Sequence, residues 1–139
     1  MRKLSDVILE QRPLIMNETA SVMAACEQMR DCRAGSVLVT GDTGRLVGIF
    51  TGRDAVCRVL AEGRDAATTH LGEVMTRKPM AMSPDQAAID ALRLMWDGGF
   101  RHIPLIRTAQ IVGVVSRGDF KGVELNHHED ERDLWEHMR

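Results

Sequence analysis

Two short motifs with the same pattern contain the residues best suited to bind a small ligand. Each reads Gly-h-h-Thr/Ser-x-x-Asp, where h is apolar, and the copies occupy residues 48–54 and 113–119. A strand that ends at a hydroxyl residue and passes at once into a helix presents free backbone N–H groups and a positive dipole end, which suit phosphate. The Asp falls in the first helical turn, where its carboxylate can accept hydrogen bonds from a ribose diol.

The pattern also has a purely structural explanation. Thr/Ser-x-x-Asp is close to a capping box, in which the hydroxyl and the acid only stabilise the start of a helix. The motif occurs twice in the same strand-end context, however, and Arg53 and Arg117 lie inside the two copies. The planar fork of an arginine suits phosphate. The repetition favours at least one working binding site, and the capping explanation stays open.

The two motifs lie at equivalent positions of an internal repeat. Arg12-Pro13 aligns with Lys78-Pro79, and Met16 aligns with Met82. After one residue fewer in a turn, Val47-Gly48 aligns with Val112-Gly113. Two halves of similar length therefore share one structural plan.

That plan is β-α-β-β-α with a short lead-in helix, which predicts an α/β fold. Apolar residues recur at i, i+4 and i+7 at Val22, Cys26 and Met29, and again at Ala88, Leu92 and Met95. Ser83 and Pro84 are the expected N-cap and first residue of the second of these helices. The predicted strands are 14–16, 36–39, 46–50, 80–82, 102–106 and 111–115; the predicted closing helices are 52–60 and 118–125; the lead-in helices are 4–9 and 71–75.

The strand pairs are almost continuously apolar, so both faces of each sheet should be covered. Helices would pack on one face and the sister repeat on the other. The small, polar, aperiodic residues 63–70 indicate a linker, and the charged residues 126–139 a short tail helix. The predicted organisation is repeat 1 at residues 1–62, the linker at 63–70, repeat 2 at 71–125 and the tail at 126–139.

These stretches resemble the CBS-domain family, specifically a stand-alone tandem pair known as a Bateman module. The resemblance is carried by TRKPMAMSPDQAAIDALRLMWDGGFRHIPLI and IVGVVSRGDF, and by their weaker echo RPLIMNETASVMAACEQMR and GSVLVTGDTGRLVGIFTGRD. It covers the chain from about Leu4 to Leu125. It implies two CBS repeats packed sheet to sheet with pseudo-twofold symmetry, and a ligand bound between them.

The resemblance also implies roles for particular residues. The ribose would be bound by Asp54 and Asp119, beside the helix-start hydroxyls of Thr51 and Ser116. The phosphate would be bound by Arg53, Arg117, Arg101, His102 and Lys78. The base would lie against Met16, Pro79, Met80 and Val115. Gly35-Ser36 stands where the second repeat has Arg101-His102, so the first repeat lacks that basic pair.

The implied function is regulation without catalysis. An adenine nucleotide such as AMP, ADP, ATP or NAD(H) would bind, shift the balance between two conformations and so signal to an unidentified effector protein. The family commonly forms homodimers through its helices. Candidate contacts here are Val56, Val59, Leu60, Phe120 and Val123. Two alternatives are a structural scaffold without a ligand and, less favoured, a nucleotide-using enzyme, for which no nucleophile, base or carboxylate pair is positioned in the sequence.

Composition excludes several other classes. Lys plus Arg total 18 against 20 Asp plus Glu, and no basic run exists, so nucleic acid is not an expected partner. The apolar stretches are strand-sized, and acidic residues follow the N-terminal basic pair too soon for a signal peptide, so no membrane contact and a cytoplasmic location are predicted. Three cysteines without CxxC spacing should be reduced thiols. The tail residues 127–137 contain histidines and acids without rigid ligand spacing, so no metal site is predicted.

Overall fold

The computed structural model describes residues 2–8 and 11–120 and divides the chain into two compact units. The first-repeat unit contains residues 12–80 and 109–111, and the second-repeat unit contains residues 1–11, 81–108 and 112–139. The lead-in element before each repeat therefore belongs to the unit built on the other repeat. The units do not coincide with the sequence ranges 1–62 and 71–125.

The described elements follow the predicted order with two differences. The elements are α1 (Leu4–Val7), β1 (Ile15–Asn17), α2 (Val22–Cys32), β2 (Ser36–Thr40), β3 (Leu46–Thr51), α3 (Gly52–Asp54), a π-helical turn (Ala55–Leu60), α4 (Leu71–Val74), β4 (Thr76–Arg77), α5 (Ala88–Gly98), β5 (His102–Arg107), β6 (Gln110–Ser116) and a 3-10 turn (Arg117–Asp119). The strand β4 was not predicted, and the predicted strand 80–82 is reduced to a single bridge at Met82. The predicted α/β class and the repeated plan are confirmed.

The first-repeat unit is built on a four-stranded sheet in the order β1-β2-β3-β4. β1 runs parallel to β2, while β3 is antiparallel to both β2 and β4. The residues of β2 from Ser36 to Val39 are all buried, as expected for a strand covered on both faces. The core consists of Val22, Ala25, Val37, Val39, Phe50, Val59, Leu71, Val74 and Met75.

The second-repeat unit is built on the pair β5-β6, to which Met82 adds a parallel bridge at Leu105. Helix α1 buries Leu4 completely in this core. The side-chain oxygen Oε1 of Gln11 accepts the Val114 N–H at 2.7 Å. The backbone of β6 next to Gly113 is therefore hydrogen-bonded by a side chain. In the first-repeat unit the equivalent residue, Gly48, is paired with the strand β4 instead.

The motif glycines are explained by this packing of the lead-in elements. A Cβ on Gly48 would collide with the Met75 side chain and would lie 2.9 Å from the Thr76 carbonyl oxygen. A Cβ on Gly113 would lie 2.7 Å from Ile8 Cδ1. Both glycines therefore allow a lead-in element to cross closely over the strand that leads to the motif.

One helix start differs from the prediction. Ser83 is not the N-cap of α5, because that helix begins at Ala88 with Ala87 as its N-cap. Ser83 instead closes a preceding turn, in which its Oγ accepts the Asp85 N–H at 3.2 Å and its N–H donates to Gln86 Oε1 at 2.8 Å. In α2 the N-cap is Ser21, whose Oγ accepts the Ala24 N–H at 3.0 Å. Ser21 aligns with Ala87 in the repeat, so the repeat itself is a better guide to the helix start than the Ser-Pro pair.

The segments around the closing helices also need correction. The first closing helix has a single α-turn and continues as a π-helical turn, with Ala61 N–H bonded to the Val56 carbonyl. Val59 and Phe120 are 1% and 4% exposed, so the prediction that they form a dimer contact is wrong. Val56 and Leu60 are exposed. The remainder of the second closing helix, Val123, the tail helix 126–139 and the tail histidines lie outside the described residues.

The predicted linker is ordered against the first-repeat unit. Val22 N–H donates to the Thr69 carbonyl and Met23 N–H to the Ala66 carbonyl, both at 2.9 Å. These bonds use N–H groups at the start of α2 that have no partner within the helix. Among the described residues, no helix is both long and apolar enough to cross a membrane.

Candidate ligand-binding site

The first-repeat motif forms a capping box at the end of β3. The Thr51 N–H donates to Asp54 Oδ2 at 2.9 Å, and the Thr51 hydroxyl lies 3.2 Å from the same oxygen. The Asp54 N–H donates back to Thr51 Oγ1 at 3.4 Å. Asp54 is 8% exposed. The structural explanation of the motif therefore describes its geometry, but it uses only one carboxylate oxygen of Asp54.

The second carboxylate oxygen of Asp54 faces an arginine. Oδ1 lies 3.6 Å from Nε of Arg58, a distance too long for a hydrogen bond. Within the described part of the chain, no hydrogen bond reaches Oδ1. An ionised carboxylate has about four acceptor positions, so Oδ1 can still accept hydroxyl donors.

The second-repeat motif has a looser start. The Ser116 N–H donates to Asp119 Oδ2 at 2.7 Å, and Asp119 is half-buried. The Arg117 N–H donates to the Arg101 carbonyl at 2.9 Å. The corresponding bond in the first-repeat unit runs from Gly52 to Gly35 at 3.3 Å. The structure thus brings the predicted basic pair beside the second motif.

His102 is the titratable group of this cluster with a perturbed pKa. Burial lowers its pKa below 6.5, the Asp119 carboxylate opposes that shift, and the Arg101 charge reinforces it. A neutral imidazole is therefore favoured near neutral pH. An anion placed beside it would make protonation easier.

The two predicted phosphate-binding arginines have different surroundings. Arg117 lies over the indole ring of Trp96, with its guanidinium carbon 5.5 Å from the ring centroid. This is cation–π geometry, which holds the guanidinium next to the motif. Arg53 is exposed at the first turn after β3.

The residues predicted to contact phosphate and base in the first-repeat unit are not all brought to its motif. Lys78 N–H donates to the Val47 carbonyl, four residues before Thr51 and so roughly 14 Å from it along β3. Pro79 and Met80 follow Lys78 and lie outside the described strands. Met16 lies on the edge strand β1, pairs with Val39 and packs partly on the core.

In the second-repeat unit, Val115 is fully buried in the core. Its side chain is packed against protein and is not open to a ligand in this structure. Met80 is 55% exposed, which leaves it accessible. Thr51, Arg53 and Asp54 thus lie together at the first-repeat motif. Arg101, His102, Ser116, Arg117 and Asp119 lie together at the second-repeat motif. The roles of Lys78 and of the base residues stay predictions.

Two residues near the motifs were not predicted from the sequence. Arg58 follows Asp54 by four positions, and that spacing on a helix is a recognisable signal for an ion pair. Trp96 lies on α5, far from Arg117 in the sequence, and no local pattern indicates their contact.

Comparison with known proteins identifies the family. The model of the CBS domain matches residues 4–60 and 71–125. The chain belongs to the CBS-domain family and contains a tandem pair of its repeats.

Individual relatives agree with this assignment. The CBS domain-containing protein CBSCBSPB2 of Arabidopsis thaliana is 36% identical over 104 residues, which are 75% of this chain and 19% of that protein. The chain thus spans about a fifth of the length of that relative. The CBS domain protein PAE2072 from Pyrobaculum aerophilum, complexed with AMP, superposes on this chain with a TM-score of 0.81 at 21% identity. The match covers 91% of this chain and 97% of PAE2072.

A second solved structure has the same fold. It is the CBS domain pair of protein MJ0100 in complex with 5′-methylthioadenosine and S-adenosyl-L-methionine. Its TM-score is 0.76 at 21% identity, and the match covers 85% of this chain and 95% of that one. At this level of identity the two structures establish the fold.

Proposed function

We propose that this chain is a regulatory module that binds an adenosine-containing ligand such as AMP, ADP, ATP or NAD(H), and that it has no catalytic activity. The observation that carries the proposal is the second-repeat cluster. There Asp119 Oδ2 accepts a hydrogen bond from the Ser116 N–H at the start of the helical turn. Arg101, His102 and Arg117 lie beside this carboxylate and supply positive and polar groups. A nucleotide has a ribose diol, which a carboxylate can bind, and a phosphate, which an arginine can bind. The two kinds of side chain lie next to each other here.

The ligands of the two solved structures support the ligand class. AMP in PAE2072, and methylthioadenosine and S-adenosylmethionine in MJ0100, all contain adenine linked to a ribose with free 2′ and 3′ hydroxyls. The ligand of the present chain would share that part. The nature of the group attached to it depends on the charges around each motif.

The two motifs differ in those charges. At the first-repeat motif Ser36, which is 4% exposed, occupies the position of His102, and Gly35 that of Arg101. We therefore expect the second-repeat motif to prefer a phosphorylated ligand and the first-repeat motif a less anionic one. Ligand binding would act by stabilising one of two conformations, which a homodimer or an effector protein would then detect.

A scaffold without a ligand is the second candidate, because both Asp side chains take part in helix capping. The test is a thermal-shift panel of adenine and guanine nucleotides, NAD and S-adenosylmethionine. A ligand at a hundred times its Kd should stabilise the fold by about 2.7 kcal/mol. No response to any compound would support the scaffold.

The variant Asp119→Asn separates the two functions of this side chain. Asparagine keeps a carbonyl oxygen to accept the Ser116 N–H, but it loses the charge and one acceptor that a diol would use. The basal melting temperature should stay close to that of the wild type while the nucleotide-induced shift falls. The matched control is Asp85→Asn, since Asp85 pairs with Arg107 at 3.0 Å in the same unit and is not in a motif. Incubation of the wild type with ATP or NAD should give no product.

A further inference from the structure

Arg58, which lies outside the Gly-to-Asp motif, links the Asp54 carboxylate to the end of the lead-in helix α4. Its Nη1 donates to the Met75 carbonyl at 2.8 Å and to the Val74 carbonyl at 3.2 Å. Its Nε lies 3.6 Å from Asp54 Oδ1. One guanidinium therefore bridges two segments of the first-repeat unit that are separated along the chain.

The carbonyl contacts fix the orientation of the guanidinium. Val74 and Met75 end α4, where carbonyl groups have no partner within the helix and basic side chains commonly bind them. The side chains of both residues are buried in the core, so these carbonyls are held in place. Because the guanidinium is planar and rigid, anchoring Nη1 also limits where Nε can point.

The fixed Nε determines the surroundings of the unused carboxylate oxygen. The capping box holds Oδ2 of Asp54, and the Arg58 charge attracts Oδ1 without making a hydrogen bond to it. Oδ1 is therefore held in one direction while its acceptor positions stay available. The Asp54 side chain is only 11% exposed, so few hydroxyl approaches are possible.

Building on the proposed function, we propose that Arg58 is a positioning residue that orients Asp54 Oδ1 for the ribose hydroxyls at the first-repeat motif. The residue aligned with Arg58 in the second repeat is Val123. A valine cannot supply this charge, and among the described residues the arrangement is found at the first-repeat motif.

The test measures recognition of the ribose hydroxyls by Asp54 in an Asp119→Asn background. AMP and 2′,3′-dideoxy-AMP are titrated into the protein by calorimetry. Loss of hydrogen bonds to a carboxylate should weaken binding of the dideoxy compound about tenfold or more. Adding Arg58→Gln, which removes the charge from beside Oδ1, should reduce that preference to about threefold or less, and Arg58→Lys should restore part of it.

The matched control is Arg64→Gln. Arg64 Nη1 lies 3.7 Å from Glu73 Oε1 on α4, so this change also removes an arginine that contacts α4 but leaves Asp54 untouched. The ribose preference should then be unchanged. Thermal melts check that each variant folds; if Arg58→Gln does not fold, an intermediate preference in Arg58→Lys supports the proposal and an unaltered preference contradicts it.

Several results would overturn the assignment of Arg58. One is an equal loss of affinity for both ligands in Arg58→Gln, which a merely structural role would produce. Another is the absence of AMP binding in the Asp119→Asn background when the wild type binds AMP, because Asp54 would then not be a ribose ligand. A wild type that binds no adenosine compound at all would instead refute the proposed function, and this inference with it.

Discussion

Replacing Gly48 by alanine should destabilise the first-repeat unit although it removes no interaction. The added Cβ would overlap the Met75 side chain and approach the Thr76 carbonyl oxygen to 2.9 Å, well inside the usual separation of about 3.5 Å. Thr76 is held in β4 by its pairing with Ile49, so its backbone cannot move cheaply. We expect a loss of about 1–3 kcal/mol in the free energy of unfolding, the usual cost of overpacking.

The repeat supplies matched controls for this change. At Gly113 the new Cβ would meet Ile8 Cδ1 at 2.7 Å, the end of a side chain that can rotate away, and Gln11 Oε1 at 3.1 Å, where a small shift that keeps its hydrogen bond to Val114 is enough. Gly113→Ala should therefore cost less than Gly48→Ala. At Gly52 nothing lies within 4 Å of an added Cβ, so Gly52→Ala should be neutral or stabilising by up to about 1 kcal/mol.

Urea unfolding followed by circular dichroism, without nucleotide, measures these differences. The expected order of stability is Gly52→Ala, then Gly113→Ala, then Gly48→Ala. A Gly48→Ala variant as stable as the wild type, or less affected than Gly113→Ala, would refute the close packing of β4 against β3.

Two further predictions concern local interactions. Ser21→Ala should lower the free energy of unfolding by about 1 kcal/mol, because the Ala24 N–H loses its N-cap acceptor, and chemical denaturation measures the change; an unaffected stability would contradict this capping. The pKa of His102 is lowered by burial, opposed by Asp119 and reinforced by Arg101, so the unfolded chain binds its proton more readily. Stability should be full above 6.5, the ordinary pKa of histidine, and should fall as the pH drops below it. Melts from about pH 5.5 to about pH 7.5 should show a weaker pH dependence in His102→Asn, and an identical profile would contradict the assignment.

Much of the fold could be predicted because local sequence patterns indicate its helices and strands, and these patterns occur twice. Helix periodicity located α2 and α5, and the apolar runs located β2, β3, β5 and β6. The family resemblance implied that Arg101 and His102 lie near the second motif, and there the Arg117 N–H donates to the Arg101 carbonyl. These features depend on neighbours in sequence or on the alignment of one half with the other.

The features that could not be predicted depend on contacts between distant segments. Nothing in the sequence around Lys78 indicates that its N–H donates to the Val47 carbonyl. This bond holds the Lys78 backbone four residues away from Thr51 along β3. Each lead-in element belongs to the unit built on the other repeat. No local sequence pattern indicates this assignment. The start of α5 was wrongly predicted because Ser-Pro is a strong local signal, although here it forms only a turn before the helix.

The most direct test of nucleotide recognition is a calorimetric titration of the purified chain with AMP, repeated on the double variant Asp54→Asn, Asp119→Asn. Asparagine preserves an acceptor for each helix start, so both proteins should be folded. We predict saturable binding to the wild type and a loss of affinity of about tenfold or more in the double variant. Equal binding by both proteins, or no binding by the wild type, would contradict a ligand site at these two carboxylates.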